Sequence, residues 1–227
     1  GGHSIFLAFF AIMLVAAVAI AFGYPRLQAK DAPRVASDAR IPRAAWLAIA
    51  AVIFLTLNYG MTFSFIERVG VERGFPVGMV ALVLLALGLI NMVPGPLAAL
   101  LERSVSAVTV GLVAPAVQAL LAIVVFSALD FTPYAVAAAF CVFPVMFGHI
   151  FLFGLIARLD PSGRATASTP AMVMIGSSVG PLLGGTLVQT FGYSAVGAAS
   201  VVVACLAIGM VLLIRQQRAV MPMREAA

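Results

Sequence analysis

The stretch that decides the fold is 176-GSSVGPLLGG-185, which is as rich in glycine as a loop but lies in an uncharged run of about fifty residues, 165–214. A single helix of that length would reach about 75 Å at 1.5 Å per residue. That is more than twice the roughly 30 Å of hydrocarbon in a bilayer. The run therefore predicts two membrane-crossing helices, with the turn between them at residues 191–194, where two aromatic residues flank a glycine.

The composition of the whole chain indicates a membrane protein. Hydrophobic residues make up 63% and charged residues 9% of the sequence, and the mean hydropathy is +1.16, which lies outside the range of water-soluble domains. No segment alternates with period two, so a transmembrane barrel is excluded. We predict an all-α polytopic bundle of seven spans, numbered 1 to 7 in chain order: 5–23, 44–66, 76–101, 105–129, 132–157, 167–190 and 193–214.

The distribution of basic residues predicts the orientation. Eleven of the 13 Lys and Arg residues fall in one set of loops, and only Arg68 and Arg73 fall in the opposite set. Because cytoplasmic loops retain positive charge, the set of eleven is predicted to be cytoplasmic, with the first residues outside and the tail from Arg215 inside. This bias explains the pI near 9.9, so we expect a lipid bilayer as the partner, in a bacterial-type inner membrane, and no nucleic acid.

The glycines of span 6 predict a helix-packing face. Gly176, Gly180 and Gly184 recur every four residues and form a smooth stripe that another backbone can approach closely. Pro181 is expected to bend the helix, because it removes one backbone hydrogen bond. Two interpretations stay open at this point. The stripe is either a static packing seam or a gating surface that slides against its partner during a conformational cycle.

A second Gly-Pro-Leu sequence suggests internal symmetry. Gly95-Pro96-Leu97 in span 3 repeats the Gly180-Pro181-Leu182 of span 6. Spans 2–4 and 5–7 thus form two triplets, each expected to have a Gly/Pro-interrupted helix in the middle. Gly95 and Pro96 are expected to serve helix packing or gating, as Gly180 and Pro181 are. Inverted repeats of this kind are typical of secondary transporters.

These residues resemble the carboxy-terminal half of a major facilitator superfamily transporter. The decapeptide at 176–185 is similar to the G-x-x-x-G-P-x-x-G-G pattern of that family's penultimate helix. A basic connection precedes six spans, and Glu102-Arg103 stands in the turn where the family has an Asp-Arg signature. The Gly-Arg-Arg end of that signature is absent.

The resemblance implies a domain organisation and an alternating-access mechanism. Residues 1–23 would be the last helix of the amino-terminal half, 24–43 a cytoplasmic linker, 44–214 the six-helix bundle and 215–227 a cytoplasmic tail. The partner would be the missing amino-terminal half of the same polypeptide or a second chain. Spans 2 and 5 would line the cavity, spans 3 and 6 would flank the interface between halves, and spans 4 and 7 would face lipid. Glu102 and Arg103 would form a cytoplasmic gate.

Polar residues inside the spans are the candidate substrate-binding residues. His149 is the only acidic or basic side chain well inside a span, and such groups mark functional sites. It would bind a proton or a polar substrate, or else serve as a neutral structural histidine. The other candidates are Asn58, Tyr59, Thr62 and Asn91, for which a helix–helix hydrogen bond is the alternative role. We expect Gln118 to form a structural hydrogen bond, and the charges at Glu67, Arg68, Glu72 and Arg73 to be a solvated turn.

The predicted function is secondary transport of a small organic solute, coupled to protons. No Asp or Glu lies inside a span, so a carboxylate proton carrier would belong to the missing half unless His149 serves instead. An enzyme is not expected, because the histidines and cysteines are isolated and no acid/base pair is buried. No metal or other cofactor is expected. A seven-span receptor and a non-transporting membrane subunit remain as alternatives.

Overall fold

The computed structural model describes residues 40–225 continuously, together with residues 10, 11, 13–15, 18, 19 and 22, which are helical. The chain divides into two compact units, Gly1–Ser37 and Asp38–Ala227. Most of the predicted span 1 and of the predicted linker lies outside the described residues. Side chains are described as far as residue 217, so little of the predicted tail can be assessed.

Six stretches in the described residues are helical, long enough and apolar enough to cross a membrane, and no strand occurs there. They confirm an all-helical architecture and correspond to the predicted spans 2 to 7. Their bounds are Arg43–Glu72, Val77–Leu101, Ala107–Ser127, Phe131–Leu159, Thr169–Phe191 and Tyr193–Gln217. The largest difference from the sequence prediction is at span 2, which continues as helix beyond residue 66.

Three of these spans are built from two helices each. Span 2 consists of Arg43–Phe63 and Ile66–Glu72, span 3 of Val77–Ile90 and Pro94–Leu101, and span 5 of Phe131–Phe140 and Phe143–Leu159. The remaining helices are Ala107–Ser127, the short Arg164–Ala167, Thr169–Phe191 and Ser194–Glu225.

Proline positions explain two of the three helix breaks, those in spans 3 and 5. Pro94 begins the second helix of span 3, and Pro144 lies in the first turn of the second helix of span 5. Proline is tolerated in a first turn, because the N–H that it lacks has no partner there. Span 6, in contrast, continues through Pro181 without interruption. Of the two spans predicted to be interrupted, span 3 is broken and span 6 is not, whereas spans 2 and 5 are broken although no break was predicted there.

Span 2 is the centre of the bundle, because it packs against spans 5, 6 and 7. Its contact with span 6 is the most extensive between any two of the described helices. The buried side chains form two large clusters. One includes Met61, Val83 and Phe126, and the other includes Leu55, Leu152 and Val211.

The glycine stripe of span 6 lies directly on the backbone of span 2. A Cβ atom at Gly180 would lie 2.5 Å from the carbonyl oxygen of Leu57 and 2.6 Å from the amide nitrogen of Met61. A Cβ at Gly176 would overlap the side chain of Thr56, and one at Gly184 would be 3.0 Å from the Met61 carbonyl oxygen. Backbone atoms cannot rotate away as a side-chain tip can. Close approach of the two helices therefore requires glycine at these positions.

We predict that Gly180→Ala lowers the free energy of unfolding by about 1–3 kcal/mol, because the added methyl group overpacks a backbone contact. Thermal unfolding in detergent measures the loss. Gly88→Ala is the matched control, since Gly88 is helical and a Cβ there meets nothing within 4 Å. The control should leave stability unchanged or raise it slightly. Equal effects of the two substitutions would contradict the proposed packing.

The Arg73 side chain bonds to the end of span 4. Arg73 therefore differs from the solvated charge that the sequence predicts at this position. Its Nη1 donates a hydrogen bond to the carbonyl oxygen of Val125 at 2.8 Å, and its Nη2 donates to the carbonyl oxygen of Phe126. These carbonyls lie in the last turn of a helix that ends at Ser127, where carbonyl groups have no partner within the helix. The positive charge also complements the helix dipole there. Arg68, in contrast, makes an exposed ion pair with Glu72 at 2.7 Å.

We expect Arg73→Ala to destabilise the protein by about 1 kcal/mol, since two charge-assisted hydrogen bonds to carbonyl groups are lost. Arg68→Ala should change stability less than Arg73→Ala does, because exposed ion pairs contribute little. Unfolding temperatures of the two variants in the same detergent make the comparison. A larger loss for Arg68→Ala would refute the assigned role of Arg73.

Candidate functional site

His149 lies in the second helix of span 5 with only 7% of its surface exposed. Its ring stacks on Phe153, with the centroids 5.3 Å apart and the planes 3° from parallel. Its Nε2 atom is buried and has no hydrogen-bond partner among the described residues. A buried imidazole nitrogen without a partner is costly in apolar surroundings. A polar group of a bound ligand would satisfy this atom.

Tyr59 lies where spans 2 and 5 meet. It is half-buried, and its ring stacks on Phe63 at a centroid distance of 5.3 Å. Tyr59 of span 2 and Met146 of span 5 both pack against the two large core clusters. Met146 precedes His149 by nearly one helical turn. Tyr59 and His149 therefore belong to two spans that pack against each other.

Asn58 and Thr62 face span 7. The Asn58 Nδ2 donates a hydrogen bond to the carbonyl oxygen of Ser200 at 3.3 Å, and the Thr62 hydroxyl lies 3.5 Å from the Ser200 hydroxyl. Both side chains are at most 1% exposed. These contacts match the helix–helix hydrogen bond that the sequence left open. They favour a structural role over substrate contact for both residues.

Asn91 sits at the break in span 3. It ends the helix Val77–Ile90, and its amide nitrogen donates to the carbonyl oxygen of Leu87 at 3.0 Å. Its side-chain oxygen Oδ1 is buried without a partner among the described residues. The next helix begins three residues later, at Pro94. The break thus presents one unpaired polar atom inside the span.

A cavity of about 200 Å³ separates spans 3, 4 and 5 at the end that carries Glu102. Glu102 and Arg158 line it together, and neither makes an ion pair with the other. Sequence reasoning missed Arg158, although its place in the last turn of span 5 puts it at the same end of the bundle. Arg103 is exposed and does not line this cavity.

Gly95 lines the cavity and makes no close helix contact. A Cβ at Gly95 would meet nothing within 4 Å, and Pro96 is exposed. The packing role expected for these two residues from the repeated Gly-Pro-Leu sequence is therefore absent in the described residues. Only the copy in span 6 forms a glycine contact, because only that copy lies against another backbone.

Asp160 organises the turn between spans 5 and 6. Its Oδ1 accepts hydrogen bonds from the hydroxyl and the amide of Ser162 at 2.5 and 3.1 Å, and its Oδ2 accepts one from the amide of Ala165 at 2.8 Å. The carboxylate is only 4% exposed. These bonds, the Ser162 hydroxyl first, lower the pKa of Asp160. Gly163 closes the turn with a φ of 77°, in the left-handed region that favours glycine.

Metal ligands do not cluster in the part of the chain that the structure describes. No group of three or more His, Cys, Asp or Glu there could hold a metal ion. Cys141 is buried, Cys205 is exposed, and both are free.

We predict that Asp160→Ala destabilises the protein at pH 7 and flattens the dependence of its unfolding temperature on acid. A carboxylate whose pKa is lowered by folding contributes stability above its unfolded pKa of about 3.9. That contribution is lost as the pH falls through the folded pKa. Unfolding temperatures between pH 7 and about 3 test this. Asp130→Ala is the control, since Asp130 is exposed and its side chain makes no capping bond. An unchanged acid profile in Asp160→Ala would contradict the assignment.

No family model matches this chain, and no curated protein matches it either. Its function has to be inferred from the residues and contacts described above.

Proposed function

We propose that this protein is a secondary transporter that moves a small organic solute across the membrane by alternating access, coupled to protons. The observation that carries the proposal is the interruption of spans 3 and 5, the two broken spans whose second helix has a proline in its first turn. Span 3 is broken at residues 91–93 and span 5 at residues 141–142. Irregular backbone inside a membrane is tolerated only where it is buried in protein or lines a cavity, and discontinuous helices typically form the binding sites of transporters.

The groups left without partners near these breaks support the proposal. At the break in span 3 the backbone amide groups have backbone hydrogen-bond partners. The amide of Met92 donates to the carbonyl of Leu89 at 3.1 Å, and the amide of Val93 donates to the carbonyl of Ile90 at 3.0 Å. The side-chain oxygen of Asn91, by contrast, stays unpaired. His149 follows the break in span 5 by about two turns and also has an unpaired buried nitrogen. A polar ligand would satisfy such atoms at little further cost.

We assign the following roles within this proposal. His149 accepts a proton or bonds the solute, and Tyr59 and Asn91 contribute polar contacts to the solute. Glu102 acts as the cytoplasmic gate, and Arg158 lines the same cavity. Spans 2 and 6 are interlocked by the glycine contact, so the two helices move together during the cycle, and the contact itself does not slide.

A second bundle would complete the transport path. Span 3 exposes a row of large apolar side chains, of which Leu82, Leu85 and Leu89 are each about three-fifths exposed. Span 6 exposes Leu182 to 73%. Such faces suit either lipid or the other half of a transporter, supplied by the same polypeptide or by a second chain. The inner-membrane location, with the carboxy terminus in the cytoplasm, is part of the same proposal.

We expect His149→Ala to reduce solute-dependent proton movement at least tenfold. The full-length protein is reconstituted into liposomes that contain a pH-sensitive dye, and a panel of sugars, amino acids, carboxylic acids and organic amines is added under an imposed proton gradient. Cys205→Ser is the matched control, because Cys205 is an exposed residue of span 7 and should leave transport unchanged.

Solute-dependent proton movement that is unchanged in His149→Ala would remove the coupling role of His149 and leave the transport proposal standing. Wild-type protein that moves no member of the panel, with or without the gradient, would instead favour a non-transporting membrane subunit.

A further inference from the structure

Two buried amide side chains in the bundle, those of Gln118 and Asn58, carry polar atoms that have no hydrogen-bond partner in the described part of the chain. Gln118 of span 4 is 0% exposed, and neither its Nε2 nor its Oε1 has a partner among the described residues. Asn58 of span 2 is 1% exposed, and its Oδ1 likewise has none. Three polar atoms in an apolar interior are therefore unpaired. Such groups are costly unless something satisfies them.

The contacts around Gly148 place these two amides at a similar level of the bundle. A Cβ at Gly148 would lie 3.0 Å from Leu55 Cδ2 and 3.1 Å from Ala114 Cβ, so Leu55 and Ala114 meet there. Spans 2 and 4 run in the same direction, as alternate spans of the bundle. Asn58 is three residues beyond Leu55, and Gln118 is four residues beyond Ala114. Residues at these spacings share a helix face. Both amides therefore lie about one helical turn further along their spans than the contact between Leu55 and Ala114.

Span 7 reaches this level from a third side. A Cβ at Gly197 would lie 3.3 Å from Ile123 Cα, and span 7 runs antiparallel to span 4. Ser200, three residues further along span 7, is therefore level with about residue 120 of span 4, close to Gln118. Ser200 also accepts the hydrogen bond from the Asn58 Nδ2 through its carbonyl oxygen. Asn58, Thr62, Gln118 and Ser200 thus share one depth, and each is at most 1% exposed.

We propose that Asn58 and Gln118 hold a buried water molecule between spans 2, 4 and 7. The Oδ1 of Asn58 and the Oε1 of Gln118 need a donor, and the Nε2 of Gln118 needs an acceptor. Water supplies both, and buried waters typically make about three such bonds. A cation would satisfy the two oxygens but would oppose the amide N–H group. No carboxylate occurs among the four polar residues to neutralise a cation. The proposal does not depend on the transport function.

A double-mutant cycle on the full-length protein tests the site. Asn58→Leu and Gln118→Met each remove one side of the bridge, and each should lower the unfolding temperature by roughly 2–6 °C. The double variant should lie close to the worse single variant, because the second substitution then removes an atom that has already lost its partner. Gln189→Met is the control, because Gln189 is exposed. Additive losses would overturn the proposal.

A density map of the wild-type protein at a resolution that shows ordered water decides the identity of the ligand, even where a variant fails to fold. We expect a peak about 2.7–3.2 Å from Asn58 Oδ1 and from an amide atom of Gln118. A direct bond between the two side chains without a peak would overturn the proposal. So would an unfolding temperature that rises in NaCl relative to choline chloride in the wild type but not in Asn58→Leu, because this would assign a sodium ion.

Discussion

The close contact between the backbones of spans 2 and 6 is the constraint on which the rest of the bundle depends. In lipid no hydrophobic force draws helices together, so they associate through close packing and hydrogen bonds. Gly176, Gly180 and Gly184 allow the main chains to touch. Once span 6 covers one side of span 2, the opposite parts of span 2 are left for spans 5 and 7. Asn58 and Thr62 then fix span 7 through Ser200.

The bundle thus combines interlocked and interrupted parts. Glycine contacts join span 2 to span 6, and buried hydrogen bonds join span 2 to span 7. A larger residue in place of a contact glycine would overlap backbone atoms of span 2. Spans 3 and 5 are broken inside the membrane, and the cavity with Glu102 and Arg158 separates their ends. The proposed alternating access would use both kinds of element, because transporters typically combine rigid units that move with discontinuous helices that form the binding site.

The positions of the helices could be predicted from the sequence, but most of the contacts between helices could not. The six spans could be located because the hydrocarbon thickness imposes an apolar length that is visible in the sequence. The spacing of the glycines in span 6 predicted a close helix contact but not which helix forms it. Periodicity identifies the face of a helix that packs and does not identify the helix that packs against it. Asn58 was expected to face a cavity, whereas it faces Ser200. The sequence predicts a solvated charge at Arg73. It does not reveal the carbonyl groups that Arg73 binds, because these lie more than fifty residues further along the chain.

The accessibility of position 59 from the two sides of the membrane tests the transport proposal most directly. Tyr59→Cys is made in a Cys205→Ser background, in which the remaining Cys141 is buried, and a membrane-impermeant thiol reagent is applied to each face separately. Alternating access predicts that the new cysteine reacts from both faces and that the background protein reacts from neither. Labelling from one face alone, or from neither, would contradict a transport path between spans 2 and 5.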